Sequence, residues 1–337
     1  MDERAQARTG LLGRAGWGGA LVTPMVGDAS QRDYFRVRRG TDTAVLMDAA
    51  GQTARDLPAF ITIAQHLISL GLSAPRILAQ DLAAGLLLLE DFGDGLFTTL
   101  LDSDPSRQDS LYSGATDVLI ALHAHPAPAP LTVLDPGRMV EIVRLVLDWY
   151  VQGCGGQQTG DAILPALAEA AERLVTGPCV LMLRDFHAGN MIWLPERAGP
   201  ARVGLLDFQD AMAAHPAYDL ASALQDARRD VPEPLEAAMI SRYCQATLVA
   251  EPPFRAAFAV LGAQRALRIL GIFARLCMAS AKPGYLAHVP RVYAQLRRNL
   301  AHPALSDLAE LCHRFIPEPT PARLNRIKDL CGTIQMP

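Results

Sequence analysis

The densest group of residues able to do chemistry is the run Leu183-Arg184-Asp185-Phe186-His187-Ala188-Gly189-Asn190, followed downstream by Leu205-Leu206-Asp207-Phe208-Gln209-Asp210. An Asp with an Asn five positions later, then an apolar segment ending in a second Asp, is the spacing of phosphoryl-transfer sites. The residue types suit that chemistry. A carboxylate beside an acceptor hydroxyl orients it and accepts its proton. An amide oxygen and a carboxylate are hard donors of the kind Mg2+ takes, and that metal clamps nucleotide phosphates. An apolar strand between the two donors holds them at a fixed separation.

The elements that position this run are legible in the periodicity. Residues 1–16 read as a short amphipathic helix, and residues 17–28 as strand and turn. Residues 34–38 alternate in the manner of a strand, and 43–47 form another. Residues 56–70 carry Leu57, Phe60, Ile61, Ala64, Leu67 and Ile68 at helical spacing, with Gly71 as a C-terminal cap. Residues 77–79 and 85–89 complete a small α+β lobe. Helices are expected over 111–123, 136–151, 163–175, 235–248, 254–278 and 289–300. A short β-rich insert, with strands at 180–183, 191–194 and 203–206, carries the chemical run. The expected fold class is therefore α+β: a β-rich lobe over 1–92, a hinge near 90–93, and a mainly helical lobe over 93–337 with a cleft between them.

Composition narrows the field. The chain has 337 residues, a net charge of −4, half hydrophobic residues and 20% charged ones, so no polyelectrolyte partner is implied. The only lysines are Lys282 and Lys328, which excludes a P-loop lysine in the N-terminal half. The six cysteines stand singly, without a C-x-x-C pair, and read as reduced structural thiols rather than a zinc site or disulfide framework. No apolar run approaches the roughly 18 residues of a membrane span, and the N-terminus lacks a leader-like apolar core, so a cytoplasmic protein is expected. No basic cluster interleaved with aromatics points to nucleic acid.

With its order of Asp185, Asn190, Asp207 and then Tyr218-Asp219-Leu220-Ala221, the chain resembles the aminoglycoside phosphotransferase and protein-kinase-like superfamily. The resemblance implies Asp185 as the catalytic base, Asn190 and Asp207 as Mg2+ ligands, ATP as the phosphoryl donor, and Asp219 as a brace for the catalytic loop. Arg184 and His187 take structural places in that loop. The segments at 27–37, 45–49, 86–93 and 264–276 are more narrowly similar to bacterial kinases that phosphorylate the anomeric hydroxyl of N-acetylmuramate and N-acetylglucosamine in peptidoglycan recycling. The wider superfamily presents a lysine from its third strand to the phosphates. Met47 stands there in this chain and cannot donate a hydrogen bond. The backbone of the Gly27 turn, Ser30, Arg32 and Arg36 are the candidates for that grip. Leu89 to Phe92, with Glu90, would be the hinge that meets adenine.

On the acceptor side, fifteen basic residues against ten acidic ones follow Asp210, which suits a neutral or anionic sugar better than a polycation. Arg265, Arg268 and Arg275 are set into the apolar helix at 254–278, where Arg265 and Arg268 are candidate acceptor contacts and a structural partner is favoured for Arg275. Asp210 could hold a sugar hydroxyl, and Trp149 and Tyr150 could stack on a sugar ring or pack in the core. Two other functions fit the same residues. One is a kinase for another small alcohol, such as an aminoglycoside, choline or homoserine. The other is a catalytically silent nucleotide-binding protein, against which the intact Asp185, Asn190 and Asp207 argue.

Overall fold

The computed structural model describes residues 3–25, 32–128, 130–156 and 160–334. In chain order the elements are α1 (Glu3–Arg14), β1 (Leu21–Met25), β2 (Asp33–Arg39), β3 (Asp42–Asp48), α2 (Leu57–Ser69), β4 (Ile77–Asp81), β5 (Leu86–Glu90), α3 (Phe97–Ser103), α4 (Gln108–His123), α5 (Pro136–Val143), α6 (Ile163–Leu174), β6 (Val180–Met182), β7 (Met191–Trp193), β8 (Val203–Leu205), β9 (Met212–Ala214), α7 (Ala217–Leu224), α8 (Glu233–Thr247), α9 (Glu251–Met278), α10 (Val289–Leu300), α11 (Ser306–Phe315) and α12 (Pro321–Asp329). By internal contacts the chain divides into two units, Met1–Leu122 with Leu183–Ala211, and His123–Met182 with Met212–Pro337. This grouping differs from the 92/93 boundary expected from sequence. The β7–β8 hairpin goes with the first unit because Trp193 N–H donates to the Gly95 carbonyl (2.7 Å) and Leu205 N–H to the Ser73 carbonyl (2.8 Å).

The first unit holds a five-stranded antiparallel sheet in the order β1-β2-β3-β5-β4. Alternation along its strands sorts side chains to two faces. Val37, Ala44, Leu46, Leu86 and Leu88 meet Leu11 and Leu12 of α1 and Trp17 in one core. Residues of the opposite parity, Tyr34, Arg36, Val45, Met47 and Leu89, line a cavity. Helix α1 is tied to β3 by charge. The Asp48 carboxylate, 3% exposed, pairs with Arg4 and, at 3.0 Å, with Arg8.

The second unit is built around α9, 28 residues long. By length and mean hydropathy (1.4) this helix could cross a membrane, a correction to the expectation that no segment is apolar enough, but 83% of its apolar window is buried inside the protein. It is a core helix. Helix α7, with all eight residues buried, packs on it. The helix expected over 136–151 is split into α5 and a π-helical segment, Val146–Val151, where Gly271 of α9 comes so close that a Cβ would lie 2.4 Å from the Leu145 carbonyl carbon.

Candidate active site

The loop that carries Asp185 and Asn190 is the chain between β6 and β7. It is closed by its own backbone bonds: Asp185 N–H donates to Leu183 O (2.9 Å) and Asn190 N–H to His187 O (2.8 Å). Arg184 opens the loop in left-handed conformation at φ 72°. His187 Nδ1 accepts from Gly189 N–H (3.2 Å), and its Nε2 lies 3.5 Å from the Asn190 amide nitrogen. That amide donates to the Asp185 carbonyl at 2.9 Å, which fixes the amide plane.

Asp207 follows β8, and Leu206 N–H donates to Asn190 O at 3.0 Å, so Asn190 and Asp207 share one frame. Asn190 Nδ2 and Asp207 Oδ2 are 3.5 Å apart. Asp207 also sits in the left-handed region, at φ 58°. Strain of this kind at a non-glycine residue persists where the surroundings hold it, often at a functional site. Two neighbours do the holding here. Gln209 Nε2 donates to Asp207 Oδ1 at 2.9 Å. Phe208, fully buried, stacks on Phe60 of α2 with ring centroids 4.8 Å apart. Both were visible in the motif, but their roles depend on contacts that spacing alone does not give.

A cavity of about 550 Å3 lies against these residues within the first unit. Met47, Glu90, Phe92, Asn190 and Asp207 are on its lining. Met47 is therefore on the surface where a third-strand lysine would be, and it is apolar. Among the described residues no group of three or more His, Cys, Asp or Glu could hold a metal by itself. The Asn190 and Asp207 pair still fits Mg2+, which is usually held by one or two protein oxygens and completed by substrate phosphates and water.

The candidates for the phosphate grip separate. Gly27 and Ser30 lie outside the described residues. The guanidinium of Arg36 is committed to Asp91 (Nε to Oδ2, 2.9 Å) and Asp94 (Nη1 to Oδ1, 2.8 Å). Burial lowers its pKa, but the bonds to Asp94 and Asp91 leave it above the ordinary value. Its charge is neutralised at the cavity edge, which removes it as the leading replacement for the lysine. Arg32, 7% exposed, donates to Asp56 Oδ2 at 3.0 Å, and its Nη1 stands 4.0 Å from Asp207 Oδ1.

At the end of β5, Glu90 is a clamp rather than a polar group offered to a base. Its N–H donates to the Arg76 carbonyl (2.9 Å), and its carboxylate accepts from Arg76 Nε (3.1 Å) and Arg197 Nη2 (2.7 Å). The Arg197 guanidinium also lies 5.1 Å from the centroid of the Phe92 ring. Phe92 rests on Gly204, where an added Cβ would be 2.6 Å from Phe92 Cδ2.

Asp210 reaches Arg184 at 3.7 Å. The remaining expected residues belong to the second unit. Arg265 is 7% exposed and committed internally, with Nη2 donating to Ser222 Oγ (2.8 Å), Nη1 to Ala221 O (3.4 Å), and Tyr218 under its guanidinium. This ties α9 to α7 and argues against an acceptor contact. Arg268, Arg275 and Trp149 are half-buried. Tyr150 is core, its hydroxyl donating to Pro317 O at 2.7 Å. Asp219 is buried in the first turn of α7.

The model of the phosphotransferase enzyme family matches residues 22–258. The chain belongs to this family. Its similarity to curated phosphotransferases runs nearly end to end. An N-acetylmuramate/N-acetylglucosamine kinase of Caulobacter vibrioides is 36% identical over 365 aligned positions, covering 95% of this chain and 98% of that protein. A kinase of the same name from Pseudomonas aeruginosa is 33% identical, covering 88% of this chain and 90% of its own length. Among solved structures, a choline/ethanolamine kinase family protein from Mesorhizobium loti has a TM-score of 0.63 at 15% identity, covering 96% of this chain and 99% of that one. An ADP-bound aminoglycoside phosphotransferase has a TM-score of 0.59 at 12% identity, covering 94% and 100%. The α+β kinase-like fold expected from the sequence is thus the fold of this phosphotransferase.

Proposed function

We propose that the chain is a sugar kinase that moves the γ-phosphate of ATP to the anomeric hydroxyl of N-acetylmuramate or N-acetylglucosamine, in the recycling of cell-wall material. The observation that carries the reading is the frame joining Asp185, Asn190 and Asp207. One amide, Asn190, braces the Asp185 backbone and faces the Asp207 carboxylate. The acceptor assignment is supported by the printed activity of the relatives and by their near full-length coverage.

In this reading the Asp185 carboxylate accepts a hydrogen bond from the acceptor hydroxyl and aligns it on the γ-phosphorus. As the new O–P bond forms, the hydroxyl proton passes to Asp185. The bond to the β–γ bridging oxygen breaks, and ADP leaves with that electron pair. Mg2+, held by Asn190 and Asp207, would supply charge stabilisation on the phosphates. Arg32 is the proposed side-chain cation of the phosphate site, and Phe92 a wall of the base site. Asp210 of the first unit is a proposed acceptor contact, and in the second unit Arg268 and Trp149 are the candidates. The basic excess after Asp210 favours a neutral or anionic acceptor.

The test is a panel of acceptors with ATP consumption as the readout and 31P NMR of the product. N-Acetylmuramate and N-acetylglucosamine should be turned over to an anomeric phosphate. Inertness of both, with turnover of choline or an aminoglycoside, would overturn the acceptor assignment. A phosphate on any other hydroxyl would overturn the anomeric one.

A further inference from the structure

Helix α2 continues directly from a 3-10 turn, Gly51–Asp56, so Asp56 has helical backbone (φ −85°, ψ −10°) and its side chain makes no cap bond. The carboxylate reaches to Arg32, 3.0 Å away, whose side chain is 7% exposed.

The register says why Arg32 matters. In the β2–β3 ladder Tyr34 is paired with Met47, and Asp33 with Asp48. Tyr34 and Arg36 line the cavity on the Met47 face. Arg32 lies just before β2, two residues from Tyr34. Its guanidinium stands 4.0 Å from Asp207, which lies with Met47 on the cavity lining. Phe60, one turn into α2 from Asp56, stacks on Phe208 next to Asp207, so one helix anchors both the acid and the metal-side loop.

We propose that Asp56 is a positioning residue that holds Arg32 for the phosphates of a bound nucleotide, so that an Arg32–Asp56 pair just ahead of β2 and α2 takes the place of a lysine on β3. This deepens the nucleotide-binding reading above and rests on it. Asp56 touches no substrate and acts through Arg32.

The experiment measures binding of ADP and of adenosine to the full chain by calorimetry, with and without Mg2+. The Asp56 side chain makes no cap bond to α2, so Asp56→Asn removes the ion pair and leaves the helix end intact. ADP should bind about tenfold more weakly to Asp56→Asn, the equivalent of one charge-assisted hydrogen bond, and adenosine unchanged. Arg32→Ala should show the same selectivity, and Asp56→Asn should add nothing in that background. Asp56→Glu should recover most of the loss. Asp56→Ser gives a second neutral variant should the first melt early. Equal weakening of ADP and adenosine would make Asp56 merely structural and overturn the inference. So would ADP affinity within twofold of wild type, or a loss that persists without Arg32. Wild-type protein that binds ADP no better than adenosine would instead overturn the nucleotide-phosphate reading itself, before any variant is made.

Discussion

Gly204 sits under the Phe92 ring, and filling that space with one methyl group tests how the hinge is held. A Cβ there would lie 2.6 Å from Phe92 Cδ2, 2.9 Å from Cε2 and 3.3 Å from Leu194 Cδ1. Ordinary carbon contacts are about 3.5–4.0 Å, so the ring must retreat by about 1 Å. Its retreat is limited because Arg197 lies over the ring and is itself bonded to Ser73 Oγ and the Glu90 carboxylate, both at 2.7 Å. Overpacking of this kind costs about 1–3 kcal/mol. At about 2–4 °C for each kcal/mol in a unit of this size, Gly204→Ala should lower the Tm by several degrees. The ring displaced into the cavity should also weaken nucleotide binding. The assay is thermal denaturation and ADP titration of Gly204→Ala, Phe92→Ala and the double variant. In the Phe92→Ala background the added methyl should cost almost nothing, giving a coupling energy of about the full single-variant penalty. A neutral Gly204→Ala, or an equal penalty in both backgrounds, would refute the reasoning.

Other outcomes follow from buried charge and buried thiols. Burial pushes the His123 imidazole down to about 3 and that of His215 down to about 4, so both stay neutral in the folded protein. The unfolded chain takes up those protons near pH 6.5. Stability should therefore be complete above that pH and fall as pH drops toward 4, by about 1.4 kcal/mol per pH unit for each histidine. Denaturant titrations across this window should show a slope that His123→Gln makes shallower. Removing Arg4 and Arg8 together leaves the Asp48 carboxylate buried without those cations, and should destabilise by about 3–5 kcal/mol in urea unfolding. Cys179 is exposed, whereas Cys154, Cys244, Cys277 and Cys312 are buried with thiols raised to about 11–12. Native protein should show Cys179 reacting first with a thiol reagent, ahead of these four, which react on unfolding.

What the sequence revealed was whatever depends on near neighbours. Strand β2 was legible because its alternation splits Val37 from Arg36 and Tyr34. The catalytic loop was legible because its members lie within a few positions of one another. Strand β9 was missed because Met212-Ala213-Ala214 is too short and small to show a period, and α7 because a helix buried all round has no polar face to mark it. The fate of Arg36 was hidden for a different reason. Its partners Asp91 and Asp94 are more than fifty positions away and meet it only once β2 and the hinge are folded. Arg265 likewise looked available in the sequence and is closed off by Ser222 and Tyr218 of α7. The role of Asp56 was hidden because its partner Arg32 lies 24 positions earlier.

The central claim is that Asp185 aligns an acceptor hydroxyl for phosphoryl transfer, and the most direct measurement is turnover of Asp185→Asn beside its affinity for ADP. The exchange keeps shape and removes the base. Turnover of N-acetylmuramate should fall by about 10²–10⁴ while ADP affinity stays within twofold of wild type. Turnover near the wild-type rate would contradict the claim.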